Sequence, residues 1–148
     1  MKNELFQGTI DHTGIVVPNL REAVTFFTEV LNFEVLFQAQ PMKFEDDRLK
    51  QSFGVHEKAF VEGAAFLQYG GKKIELVQWT DPEQNSGPKP ADIGTAHLAI
   101  SVTDLKKAYT YFENTPGVSV RVFSPIGFFY ITSPWGLEIQ IVGTEQSK

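Results

Sequence analysis

Residues 12–27, HTGIVVPNLREAVTFF, and residues 97–112, HLAISVTDLKKAYTYF, align without a gap at an offset of 85. His12 meets His97, Ile15 meets Ile100, Val17 meets Val102, Leu20 meets Leu105, Ala23 meets Ala108 and Phe27 meets Phe112. Each copy reads as a strand running into a helix. Asn19 and Asp104 carry short side-chain oxygens suited to accept from the first free helical N–H groups, and Leu20, Ala23, Val24 and Phe27 recur at helical spacing. Asn19 and Glu22 also have the spacing of a capping box.

A second repeat lies outward of the first. Residues 69–78, YGGKKIELVQ, lie over 134–143, PWGLEIQIVG, at an offset of 65, so that Gly71 meets Gly136, Glu75 meets Gln140 and Leu76 meets Ile141. The fall from 85 to 65 places about twenty extra residues in the first copy, within 41–60. Alternation and turn residues then predict, in each copy, a strand, a helix and three antiparallel strands. The first copy is 9–17, helix 20–31, 33–40, 60–69 and 72–79; the second is 94–102, helix 104–114, 117–124, 127–133 and 136–143. A short helix is expected over 44–53, and the polar Pro/Gly-rich stretch 80–93 joins module 9–79 to module 94–143 within one domain spanning 1–148.

Composition narrows the possible functions. With 148 residues, 42% hydrophobic and 13 Phe, the chain can bury one sizeable core. Thirteen basic against 18 acidic residues give a net charge of −5 with no basic run, which argues against nucleic acid as a partner. No Cys is present, so thiolate nucleophiles, disulfides and Cys-based zinc sites are excluded, and a metal would need His, carboxylate or amide donors. The opening MKNELFQGTID has no apolar signal core and no apolar run approaches membrane length, so a cytoplasmic protein with no membrane partner is expected.

The two-module order, the openings IDHTGIVVPNLREAVTFF (10–27) and GTAHLAISVTDL (94–105), and the SPWG ending (133–136) resemble the vicinal oxygen chelate superfamily. Its members include glyoxalase I, methylmalonyl-CoA epimerase, extradiol dioxygenases, fosfomycin-modifying enzymes and bleomycin-binding proteins. The resemblance implies an α+β glyoxalase-like fold in which two tandem βαβββ modules curl into half-barrels around a metal or ligand cleft. It further implies one divalent ion (Zn, Ni, Co, Mn or Fe), held by residues of the first and last strands of the modules. Carried over residue by residue, these are His12, Glu75, His97 and Gln140.

Two imidazoles with oxygen donors suit those ions without help from sulfur. Gln140 stands where the superfamily usually has Glu, and Glu138, two residues earlier on the same strand face, is the alternative donor if a bulge shifts the register. A single strand His is ordinarily a hydrogen-bonded structural residue, but two at equivalent repeat positions, in step with Glu75 and Gln140, form a pattern. His56 has no repeat partner and is expected at the surface or in a lid. Phe128, Phe129, Tyr130, Trp79 and Trp135 are expected either in the core or along an apolar pocket.

The resemblance implies a metal-dependent lyase or isomerase, of the glyoxalase I or epimerase type, acting on a small organic substrate. Its chemistry would be proton abstraction beside a metal-held carbonyl, with Glu75 as the base and Glu138 as the second candidate. The arrangement His, Glu, His, Gln is the module-swapped image of the His, Gln, His, Glu of the epimerases. Glyoxalase I usually has an Arg four residues after its first ligand, and Val16 stands there instead, against a glutathione substrate. The alternatives are a non-catalytic binding protein of the bleomycin-resistance type and a non-haem iron dioxygenase. The dioxygenases need a closing-strand Glu in the second module, where this chain has Gln140. A homodimer is expected, with the modules pairing within a chain or across the dimer.

Overall fold

The computed structural model describes residues 3–42 and 47–144. The chain divides into two compact units between Asn85 and Ser86, inside the connector. In order, the first unit contains β1 (Thr13–Val16), α1 (Leu20–Thr25), a π-helical turn (Phe26–Val30), β2 (Glu34–Ala39), α2 (Asp47–Phe53), β3 (Phe60–Tyr69) and β4 (Lys72–Thr80). The second contains β5 (Leu98–Val102), α3 (Leu105–Glu113), β6 (Ser119–Val120), β7 (Phe128–Thr132) and β8 (Glu138–Gly143).

Each unit is one four-stranded mixed sheet, ordered β1-β4-β3-β2 in the first and β5-β8-β7-β6 in the second. The opening strand lies parallel to the closing strand, and the other neighbours are antiparallel. The two sheets repeat one topology, giving the expected α+β fold of two modules. Their register repeats as well: Gly14 pairs with Glu75 and Ala99 with Gln140, which are the same positions at offsets of 85 and 65.

Alternation along the closing strands separates two faces. Ile74 and Leu76 in β4, and Ile139 and Ile141 in β8, are fully or almost fully buried. In the first unit the core adds Phe26, Phe27, Phe33, Ala65 and Leu67; in the second it adds Leu105, Phe112, Phe129 and Ile131. Phe129 is completely buried among the rings of Tyr109, Phe112 and Phe123, which makes it core and not pocket lining. The opposite faces carry Glu75 and Gln140, both only partly covered.

Several element boundaries differ from the sequence expectation. The opening strands are shorter, Thr13–Val16 and Leu98–Val102, so His12 and His97 each sit just before the first ladder residue. The helix expected over 20–31 ends at Thr25 and continues as the π-helical turn, which brings the consecutive Phe26 and Phe27 both into the core. The strand expected over 117–124 is regular only at Ser119–Val120. Beyond it, Arg121 N donates to the Tyr130 carbonyl and Ser124 N to that of Phe128, an irregular ribbon leading to the turn at Gly127. The short helix expected over 44–53 is observed at Asp47–Phe53, and 44–46 lie outside the described residues.

Candidate functional site

In the first unit, His12 lies two residues before Gly14 on the face that carries Glu75. Gly14 is the register partner of Glu75, and a Cβ there would meet Glu75 Oε1 at 3.9 Å, an ordinary contact. His12 Nδ1 lies 2.7 Å from Asp11 Oδ2, and Asp11 Oδ1 also pairs with Lys73 Nζ at 3.5 Å. The hydrogen bond from His12, reinforced by the charge of Lys73, holds the Asp11 carboxyl below the usual carboxylate range. With Nδ1 donating to a carboxylate, the other ring nitrogen of His12 is left as the acceptor, the arrangement that orients a histidine ligand toward a metal. The edge of the ring packs on Phe66, with centroids 5.2 Å apart.

The second unit repeats this cluster with changed chemistry. His97 Nε2 lies 3.3 Å from Gln140 Oε1 and 3.3 Å from the Tyr130 hydroxyl. The His97 and Tyr130 rings meet edge-on at 5.4 Å and 70°, close to the 5.2 Å and 73° of His12 and Phe66. Phe66 is the register partner of Glu75, and Tyr130 that of Gln140. The Phe66 and Tyr130 rings therefore fill one repeat position, and only the second carries a hydroxyl.

Glu138 is held differently. Arg121 donates to both of its carboxylate oxygens, Nη2 to Oε1 at 2.6 Å and Nε to Oε2 at 3.2 Å, and the Thr132 hydroxyl donates to Oε1 at 3.1 Å. The Arg121 hydrogen bonds keep this carboxyl below its usual range, against a partial burial that acts the other way, and Thr132 adds to the lowering. β8 pairs with β5 and β7 without a bulge, so Glu138 and Gln140 share the face that regular alternation gives them. His56 accepts from Lys58 N at 3.0 Å through Nδ1, a local turn contact.

One donor pair has a spacing that suits a divalent ion. Two ligand atoms each about 2.1 Å from one ion lie roughly 3.0–3.4 Å apart, and His97 Nε2 and Gln140 Oε1 are 3.3 Å apart. Each unit offers one imidazole and one side-chain oxygen donor. Among the described residues no group of three or more His, Asp or Glu side chains gathers to hold an ion. Sequence reasoning missed two members of these clusters, Phe66 and Arg121. The signal for Phe66 was the repeat itself, since the partner of Glu75 must correspond to the partner of Gln140. The sequence offers Tyr130 as core or as the lining of an apolar pocket, without its hydroxyl contact to His97.

The Glyoxalase/Bleomycin resistance protein/Dioxygenase superfamily profile matches residues 9–141. The chain is 30% identical over 144 residues to a 2-epi-5-epi-valiolone epimerase of an Actinomyces species, an alignment covering 90% of this chain and 78% of that protein. Among solved structures it is similar to a glyoxalase family protein from Bacillus cereus, with a TM-score of 0.73 at 18% identity over 97% of this chain and 98% of that one. It is also similar to the trypanothione-dependent glyoxalase I of Leishmania major, with a TM-score of 0.63 at 21% identity over 91% and 86% of the two chains. No helix among the described residues is long and apolar enough to cross a membrane.

Proposed function

Because the chain belongs to the glyoxalase/bleomycin resistance protein/dioxygenase superfamily, we propose that it is a divalent-metal-dependent isomerase of the epimerase type, with the related glyoxalase-type lyase chemistry as its near neighbour. Its reaction would be removal and return of a proton on carbon beside a carbonyl. The observation that carries this reading is the first half-site: His12, hydrogen-bonded through Nδ1 to Asp11, shares a sheet face with Glu75, since its ring packs on Phe66, the register partner of Glu75. The epimerase relative supports it at the level of reaction class.

In this reading His12, His97 and Gln140 hold the ion together with, or in exchange for, Glu75. The reading requires both half-sites to serve one ion, whether in a single chain or in a homodimer. The bound ion supplies positive charge that stabilises the negative charge developing on the substrate oxygens. Glu75 takes the proton and gives it back. Glu138, with both oxygens engaged by Arg121, is a structural anchor of β8 and not a second base.

The test is deuterium incorporation from D₂O into 2-epi-5-epi-valiolone, followed by proton NMR. Native protein should exchange the hydrogen next to the carbonyl, and Glu75→Gln should slow exchange by about 10²–10⁴-fold while the melting temperature stays unchanged. Equal exchange by both proteins contradicts the assignment of the base. A second reading, a binding protein without turnover, draws on the contact of His97 Nε2 with the neutral Gln140 amide. It predicts ligand-induced thermal stabilisation with no exchange in either protein.

A further inference from the structure

The repeat also diverges away from the donors. Asn32 is the only non-glycine among the described residues with a positive φ, 61°, and the position 85 residues on is Gly117, with φ 78°. Both units therefore need a left-handed residue where the chain leaves its helix for the next strand, a conformation that glycine adopts freely and asparagine tolerates. In the second unit the space beside this residue is closed: a Cβ on Gly117 would stand 3.2 Å from Pro134 Cγ, in the three-residue turn 134–136 between β7 and β8. In the first unit the matching turn has only two residues, Gly70 and Gly71. Both have positive φ, and a Cβ on either would meet nothing within 4 Å.

The first unit has a cleft of about 350 Å³ at this end of its sheet, lined by Asn32, Glu34, Gln68, Tyr69, Gly70 and Gly71. Its chemistry is one-sided. Glu34 brings a carboxylate whose Oε2 accepts from Gln68 Nε2 at 3.3 Å, while its Oε1, the Gln68 side-chain oxygen and the Asn32 amide have no hydrogen-bond partner among the described residues. Tyr69 stacks on Phe33 with centroids 5.1 Å apart and planes 23° from parallel, and Phe33 meets Phe27 edge-on at 5.0 Å. The Tyr69 ring is thus braced from the core, yet the residue is 40% exposed. No Lys or Arg is among the described residues that line the cleft. Ser119 and Thr132 occupy the positions of Glu34 and Gln68 in the second unit, so the carboxylate belongs to the first alone.

From this geometry we infer that the cleft is a second binding site, independent of the proposed proton transfer, which takes a small primary amine in its ammonium form. An ammonium carries three donors and no acceptor, and the cleft offers it Glu34 Oε1 together with the amide oxygens of Gln68 and Asn32. The Tyr69 ring adds the attraction of an aromatic face for a cation. A guanidinium pairs best with both carboxylate oxygens at once, and Gln68 already engages one of them. A phosphate or carboxylate would meet the charge of Glu34 without a cation to offset it. A bare calcium ion calls for more oxygen ligands than one carboxylate and two amides supply, and it has no use for the ring. The volume lies at the small end of ligand pockets, which suits a free amine.

Proton–nitrogen NMR titration of the full chain tests this through the Gly70 and Gly71 amides, with n-butylamine, 1-butanol, n-butylguanidine and N-acetyl-lysinamide as probes at neutral pH. Butylammonium should shift both amides and bind at least about tenfold more tightly than butanol, and more tightly than the other two cations. Glu34→Gln should weaken it by about tenfold or more. Tyr69→Leu should weaken it about two- to fivefold, and Tyr69→Phe should leave it unchanged. Asn32→Gly, which keeps the left-handed backbone that Gly117 has, should weaken binding without lowering the melting temperature. Glu34 is exposed, so circular dichroism melting of Glu34→Gln should match the native protein. Equal binding of butanol, unchanged affinity in Glu34→Gln, or no shift of either glycine amide overturns the proposal. Tighter binding of the guanidine overturns the ammonium assignment. Tighter binding of N-acetyl-lysinamide overturns the free amine in favour of a lysine side chain on a partner protein.

Discussion

At the scale of the residue, His12 owes its orientation to its chain neighbour. The 2.7 Å contact with Asp11 commits one ring nitrogen and leaves the other as the acceptor that the proposed ion would use. Asp11→Asn should therefore weaken metal binding by about 10–100-fold with little effect on folding, which competition titration against a chromogenic chelator can measure. The Arg121–Glu138 pair makes the opposite kind of statement, about stability. Glu138 has a folded-state pKa below its unfolded value, so its contribution is fully present above the ordinary glutamate range and is lost as pH falls through and below about 4.3. Glu138→Gln should lower the urea midpoint near neutrality and flatten the acid limb of its curve against pH, so that variant and native protein converge in acid. His12, Glu75, His97 and Gln140 were legible in the sequence as a pattern because alternation and a gapless repeat carry their positions. Arg121 was not legible, because its partner Glu138 lies seventeen residues away on a strand that is not its sheet neighbour.

At the scale of the element, the helices start where their caps dictate. Asn19 Oδ1 accepts from Glu22 N and Asp104 Oδ1 from Lys107 N, both at 3.0 Å. In the first module Gln78 adds a second tie, accepting from Leu20 N at 2.8 Å and so pinning α1 to β4; the repeat has Gly143 in that place. Replacing Asp104 by Ala should cost about 1 kcal/mol of the second unit's stability, measured by denaturant titration. Phe129→Ala, which empties a fully buried site among three rings, should cost about 3–5 kcal/mol. The caps were readable from local spacing. The π-helical turn was not, because Phe26 and Phe27 fit an ordinary helical stripe equally well until packing makes both of them core. The shortness of β6 also escaped, since Val118, Val120 and Val122 alternate with Ser119 and Arg121 like a strand although pairing beyond Val120 is irregular.

At the scale of the whole molecule, one βαβββ plan is used twice, with the register of Gly14 and Glu75 repeated at Ala99 and Gln140. Duplication gives two similar donor pairs, and divergence assigns the carboxylate and the Phe66 ring to one, and the amide and the Tyr130 hydroxyl to the other. Each pair alone supplies one imidazole and one oxygen donor, so the proposed function requires both to serve a single ion. The measurement that bears on this most directly is metal content per chain by inductively coupled plasma mass spectrometry. It would be made on tag-free native protein and on a His12→Ala, His97→Ala variant, each incubated with Mn, Fe(II), Co, Ni or Zn and then desalted. The account predicts about one ion per chain in the native protein and a near-total loss in the variant. A native protein that retains none of the five ions, or a variant that retains as much as the native, would contradict it.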